Sequence, residues 1–147
     1  FARRSLGEAP HPGKRIYLGD TMGEMAFYYA SCDAALIGGS FRPLGGQNLI
    51  EACAVGAPAV LGPHMFNFAQ ATRQALAAGA ALQARDAGEA MRAARALLGD
   101  AARRAQMGAA GLRLCAAHRG ATERHLTAVR GLLEAAAPAG LRAPAPG

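Results

Sequence analysis

Four short apolar runs recur along this chain, each stopped by glycine or polar residues and each followed by a stretch with helical spacing. They are Ile16-Tyr17-Leu18, Ala34-Ala35-Leu36-Ile37, Ala57-Pro58-Ala59-Val60-Leu61-Gly62-Pro63 and Ala80-Ala81-Leu82-Gln83-Ala84. Runs this short between breakers read as buried strands, because a helix needs about ten residues or more. Strands that alternate with helices form βαβ units and a parallel sheet. The sequence therefore predicts an α/β fold, a Rossmann-like parallel sheet with flanking helices. Ligands of such sheets sit beyond the carboxyl ends of the strands.

Helix boundaries follow from capping residues and glycines. Thr21, with Glu24 three residues on, has capping-box spacing. It predicts a helix that carries Met22, Met25, Ala26, Tyr29 and Ala30 on one face and ends near residues 31–33. Gln47-Asn48 open a helix through Leu49, Ile50, Ala52, Cys53 and Ala54 that stops at Gly56. Asn67 or Phe68 starts another, which ends at Gly79. Asp86 caps a third, with Ala87, Ala90, Met91, Ala94, Leu97 and Leu98 at helical spacing. Residues 101–136 read as helix broken near Gly108, Gly111 and Gly120. With 38 alanines in 147 residues, propensity is a poor guide to where helices stop. Residues 1–136 read as one domain and 137–147 as a flexible Pro/Ala/Gly tail. The chain opens at Phe1 without an initiator Met and reads as a piece of a longer protein.

Charge is uneven. Residues 1–84 hold six Lys and Arg against five acids, and residues 85–147 hold ten Arg against five acids, for a net +6. A basic helical surface can meet an anionic membrane or simply be solvated. No aromatic interleaving accompanies the arginines, which speaks against a nucleic-acid partner. Three widely spaced cysteines without C-x-x-C argue against a disulfide framework and a zinc site. His11, His64, His118 and His125 lack metal-ligand spacing.

Two loops at strand ends are chemically unusual. In the second, Gly38-Gly39-Ser40-Phe41-Arg42-Pro43-Leu44-Gly45-Gly46, glycines let backbone approach a bulky group, and Ser40 adds a hydroxyl. The helix opening at Gln47-Asn48 presents free N–H groups there, an arrangement that suits phosphate. Glu51 follows on the first turn, on the side of Asn48, where a carboxylate suits vicinal hydroxyls such as those of a ribose. Phosphate on the loop and ribose on Glu51 would describe nucleotide binding. Equally, the glycines can make a turn and Glu51 can complement the helix N-terminus. The pattern is neither Walker A nor G-x-G-x-x-G. The first loop, Gly19-Asp20-Thr21-Met22-Gly23-Glu24, reads either as a helix cap or as a close approach at Gly23. His64, after Gly62-Pro63 at a strand end, is either structural or a contact to a ligand phosphate.

The ordered set Leu18-Gly19-Asp20-Thr21-Met22-Gly23-Glu24, Gly38-Gly39-Ser40-Phe41, Gly45-Gly46-Gln47-Asn48-Leu49-Ile50-Glu51 and Gly62-Pro63-His64-Met65-Phe66-Asn67-Phe68 resembles the C-terminal domain of the 3-deoxy-D-manno-octulosonic acid (Kdo) transferases of Gram-negative bacteria. The resemblance covers about residues 1–135. It implies the C-terminal half of a GT-B glycosyltransferase. That enzyme moves Kdo from CMP-Kdo to lipid IVA in lipopolysaccharide biosynthesis, on the cytoplasmic face of the inner membrane, with no metal and no cofactor. It also implies that Met22, Gly23, Glu24, Asn48, Leu49, Ile50 and Glu51 contact CMP, with Glu51 on the ribose. Ser40, Gly45, Gly46 and Gln47 are added here as phosphate-loop candidates.

Two positions depart from the family pattern: Gln47 stands where His is common, and Ala52 where Pro is common. The resemblance puts the catalytic base and the acceptor contacts in an N-terminal domain outside this sequence, so the chain alone is expected to be inactive. Two rival readings share the glycine loop. One is a GT-B domain for a UDP-sugar. The other is a nucleotide-binding or interaction module with no catalysis.

Overall fold

The computed structural model describes residues 1–118 and 120–136, and residues 121–124 through their backbone alone. The chain divides into two units, Phe1–Ala116 and Ala117–Gly147. The strands are β1 (Ala2–Arg3), β2 (Tyr17–Leu18), β3 (Ala35–Leu36), β4 (Ala59–Leu61) and β5 (Ala81–Gln83). The helices are α1 (Met25–Ala30), α2 (Leu49–Ala54), α3 (Ala69–Ala77), α4 (Ala87–Leu98), α5 (Ala101–Ala117) and α6 (Ala121–Ala136). The expected tail at 137–147 lies outside the described residues.

All four expected strands form, each shorter than its apolar run. β3, β4 and β5 make a parallel sheet in that order, with Ala35 opposite Ala59 and Ala59 opposite Ala81. β4 is central, and Ala59, Val60 and Leu61 are all fully buried. Alternation along it divides the core in two. Ala59 and Leu61 pack with Leu49, Cys53, Ala75 and Ala110, while Val60 packs with Ala90, Leu97 and Met107. Helices thus cover both faces, as parallel sheets require. A separate parallel pair joins β1 to β2, with Ala2 opposite Tyr17. β1 was not foreseen, because two residues show no periodicity.

Two helix starts and two helix stops match the sequence reading. Asn48 caps α2, Asp86 caps α4 with its side chain accepting from Glu89 N, and Gly56 and Gly79 follow α2 and α3 with positive φ. Two expectations need correction. α1 begins at Met25, not after Thr21, and Glu24 at its N-cap makes no side-chain cap bond. Gly23, at φ +83°, is incompatible with a right-handed turn there. Met22 is consequently outside the helix and almost fully exposed. Second, α5 runs unbroken through Gly108 and Gly111. Those glycines serve contact, not interruption. A Cβ on Gly108 would lie 2.4 Å from Gly56 O, and one on Gly111 3.1 Å from Cys53 Cα. α5 therefore packs backbone to backbone against the end of α2. The expected break near Gly120 is present, with φ +78°.

Candidate functional site

The second loop leaves β3, makes a 3-10 turn over Gly38–Phe41, and enters α2 at Leu49. Asn48 ends it with both groups of its side chain. Its Oδ1 accepts from Ile50 N (3.1 Å), which satisfies an orphan amide of the first turn, and its Nδ2 donates to Glu51 Oε1 (3.0 Å). The Glu51 carboxylate is thereby held in place while remaining exposed. Gln47 Oε1 accepts from Gly39 N (2.9 Å), so its Nε2 is left as a donor. Gln47, Asn48 and Glu51 line a cleft of about 400 Å³ with Gly38, Leu36, Ile37, Met25 and Tyr29.

The other members of the second-loop set have different places. Leu49 is fully buried, so its side chain belongs to the core, and the Ile50 amide is taken by Asn48. Ser40 is fully buried as well. Its hydroxyl donates to Ile37 O and accepts from Gly62 N (2.6 Å), and its carbonyl accepts from His64 N (2.9 Å). The sequence reading offered that hydroxyl to a phosphate, whereas the fold uses it to stitch the loop after β3 to the loop after β4. Gly45 and Gly46 both have positive φ, and Cβ atoms there would meet Asn67 and Met65. These glycines seat the loop on the 64–67 segment.

The first loop is clamped by the N-terminal segment. Arg4 grips Glu24 through Nε (3.1 Å to each oxygen) and through its terminal Nη2 (2.7 Å to Oε1). Thr21 and Tyr28 also donate to that carboxylate. The Arg4 bonds first, and the Thr21 hydroxyl next, hold the Glu24 carboxyl down to about 2. Asp20 accepts from Ser5 N (2.9 Å), Ser5 Oγ (2.7 Å) and Arg3 Nε (2.8 Å), which holds its carboxyl well below the usual range. Met22, Gly23 and Glu24 do not line the cleft; they lead into α1, whose Met25 and Tyr29 do. Sequence reasoning put Met25 and Tyr29 on one helix face and assigned neither to the site. Burial, and then the Glu51 charge, push the Tyr29 phenol up. No spacing in the sequence links residues 29 and 51.

Chemically the cleft offers a fixed carboxylate, an amide donor, a glycine backbone and an aromatic wall at the carboxyl end of a parallel strand. That set can hold a polyhydroxylated, anionic ligand such as a nucleotide.

No protein-family model matches the chain. It is 55% identical over 130 residues to 3-deoxy-D-manno-octulosonic acid transferase of Bordetella pertussis, which covers 88% of this chain and 30% of that protein. It is 41% identical over 73 residues to the transferase of the same name from Haemophilus influenzae, covering 50% and 17%. Among solved structures it is similar to the C-terminal CMP-Kdo binding domain of WaaA from Acinetobacter baumannii. The TM-score is 0.73 at 32% identity, over 77% of this chain and 59% of that one. The chain spans less than a third of the length of these curated relatives. Sequence and fold agree: the chain is similar to the 3-deoxy-D-manno-octulosonic acid transferases over the part that folds as a C-terminal CMP-Kdo binding domain in the solved relative.

Proposed function

We propose that this chain, over residues 1–136, is the donor-binding domain of a glycosyltransferase that moves Kdo from CMP-Kdo to lipid IVA at the cytoplasmic face of the inner membrane. The observation that supports it most is the Asn48-oriented Glu51 carboxylate in the cleft between α1 and α2, in a chain 55% identical to a transferase of that name. In this reading Glu51 accepts from the ribose hydroxyls through the oxygen that Asn48 leaves open. Gln47 Nε2 and the backbone of Gly38, Gly45 and Gly46 serve the phosphate side. Met22, Gly23 and Glu24 border the entrance. The chain's share of the reaction is to place the donor and stabilise the leaving CMP. The base and the acceptor site belong to the rest of the full-length enzyme, and the basic C-terminal stretch faces the anionic membrane. No described helix is long and apolar enough to cross a membrane.

Calorimetry on the purified chain tests the reading. CMP binds, and Glu51→Ala weakens it about 10- to 100-fold, the loss of one or two hydrogen bonds to a charged group at about 1.5–3 kcal/mol. Tighter binding of UDP than of CMP contradicts it and favours the UDP-sugar alternative; an unchanged affinity in Glu51→Ala contradicts the ribose role of Glu51.

A further inference from the structure

α2 and α5 meet backbone to backbone, and the antiparallel register of that contact brings two cysteines together. Gly56, after α2, faces Gly108, where a Cβ would lie 2.4 Å from Gly56 O. One turn back along α2, Cys53 faces Gly111, where a Cβ would lie 3.1 Å from Cys53 Cα and 3.3 Å from its Cβ. Another turn back, Ile50 faces Cys115, whose Sγ donates to Ile50 O at 3.8 Å. Residues i and i+4 share a helix face. Cys115 therefore stands one turn beyond Gly111, on the side of α5 that Cys53 touches. Both cysteines belong to one cluster, Cys53 inside it and Cys115 packed against it. A disulfide needs Cα atoms about 4.4–6.8 Å apart, and helices that touch through glycine reach that separation.

The two thiols are unequal. Cys53 is fully buried. Burial first, and then the Cys115 thiol beside it, push the Cys53 thiol up to about 11. Cys115 is half-buried. The third cysteine, Cys32, follows α1, and its Sγ donates to Tyr29 O (3.3 Å). The nucleotide reading uses none of these thiols.

We propose that Cys53 and Cys115 are a redox modification site, a dithiol that a peroxide closes to a disulfide, tying α2, the helix that carries Glu51, to α5. The more exposed Cys115 reacts first. Its thiolate attacks one peroxide oxygen, the O–O bond breaks, and a sulfenic acid forms while the departing hydroxide takes up a proton as water. The Cys53 sulfur then attacks the Cys115 sulfur. The sulfenic hydroxyl leaves with the Cys53 proton as a second water. Two thiols and one peroxide thus give one disulfide and two waters, and a small-molecule dithiol reverses the link by exchange. The site stands on the helix pair and does not need the nucleotide reading.

The test treats the folded 147-residue chain with hydrogen peroxide, alkylates the remaining thiols in urea, and maps the unreduced peptides by mass spectrometry. One intramolecular product is expected, with the peptides of Cys53 and Cys115 joined and Cys32 alkylated, and dithiothreitol releases it. The linked chain is expected to have a higher urea midpoint than the reduced one, because the link closes a long loop in the unfolded state. Cys32→Ser keeps the product and Cys115→Ser loses it. An unreacted pair, a link through Cys32 or between chains, sulfinic or sulfonic acid at Cys115 without a link, or a linked chain whose midpoint does not rise overturns the proposal. The mapping uses the unaltered chain, so it decides even where a variant fails to fold.

Discussion

Asn48 caps α2 with its oxygen and aims Glu51 with its nitrogen, so one side chain links local folding to the site. The two roles separate by substitution. Asn48→Ala loses the cap and costs about 1 kcal/mol, read by urea denaturation. Asn48→Asp keeps an acceptor for Ile50 N but sets a second carboxylate against Glu51. Its stability is expected near wild type and its CMP affinity about tenfold lower. Ser40 shows what residue-level reading misses. Nothing in the sequence distinguishes a hydroxyl that faces a ligand from one whose partner lies 22 positions away. Ser40→Ala leaves the buried Gly62 N–H without an acceptor, at a cost of about 1–3 kcal/mol. Glu24 provides a pH signature. Its carboxyl is lowered from about 4.5 to about 2 in the fold, so its stabilisation is present above 4.5 and is lost as pH falls toward 2. Acid titration of stability is therefore expected to be shallower over that window in Glu24→Gln. The Arg4–Glu24 pair spans 20 positions, which explains its invisibility to spacing arguments.

At the scale of elements, what was legible in the sequence was whatever burial or a local cap dictates. β4 sits in the middle of its sheet, and its continuous apolar run announced it. Asp86 and Asn48 announced α4 and α2 because an N-cap acts within three residues. α1 was misplaced because Thr21 and Glu24 have the spacing of a capping box while Arg4, from a distant segment, holds the glutamate. α5 was misread because glycine in a helix has two meanings, interruption and close approach, and only the position of Gly56 decides between them. That contact makes a prediction. Ala at residue 108 gains about 1 kcal/mol in helix propensity, yet its Cβ would meet Gly56 O at 2.4 Å. The clash is at the upper end of the roughly 1–3 kcal/mol cost of overpacking. Gly108→Ala is expected to lower the urea midpoint; an unchanged or raised midpoint would show that α5 can shift away.

At the scale of the whole molecule, all the residues assigned to the nucleotide cleft lie within the unit Phe1–Ala116. The chain spans less than a third of its curated relatives. Purified on its own it is expected to transfer Kdo no faster than background. The site itself was half legible. The glycine loop, Asn48 and Glu51 could be read from their order along the chain, but the wall that α1 contributes depends on how two helices pack. The measurement that tests the account most directly maps amide shifts of the isolated chain on adding CMP. Saturable shifts are predicted along the cleft at Met25, Tyr29, Gly38 and residues 47–51, and their loss in Glu51→Ala. A folded chain whose shifts fall elsewhere, or that responds to UDP and not to CMP, contradicts it.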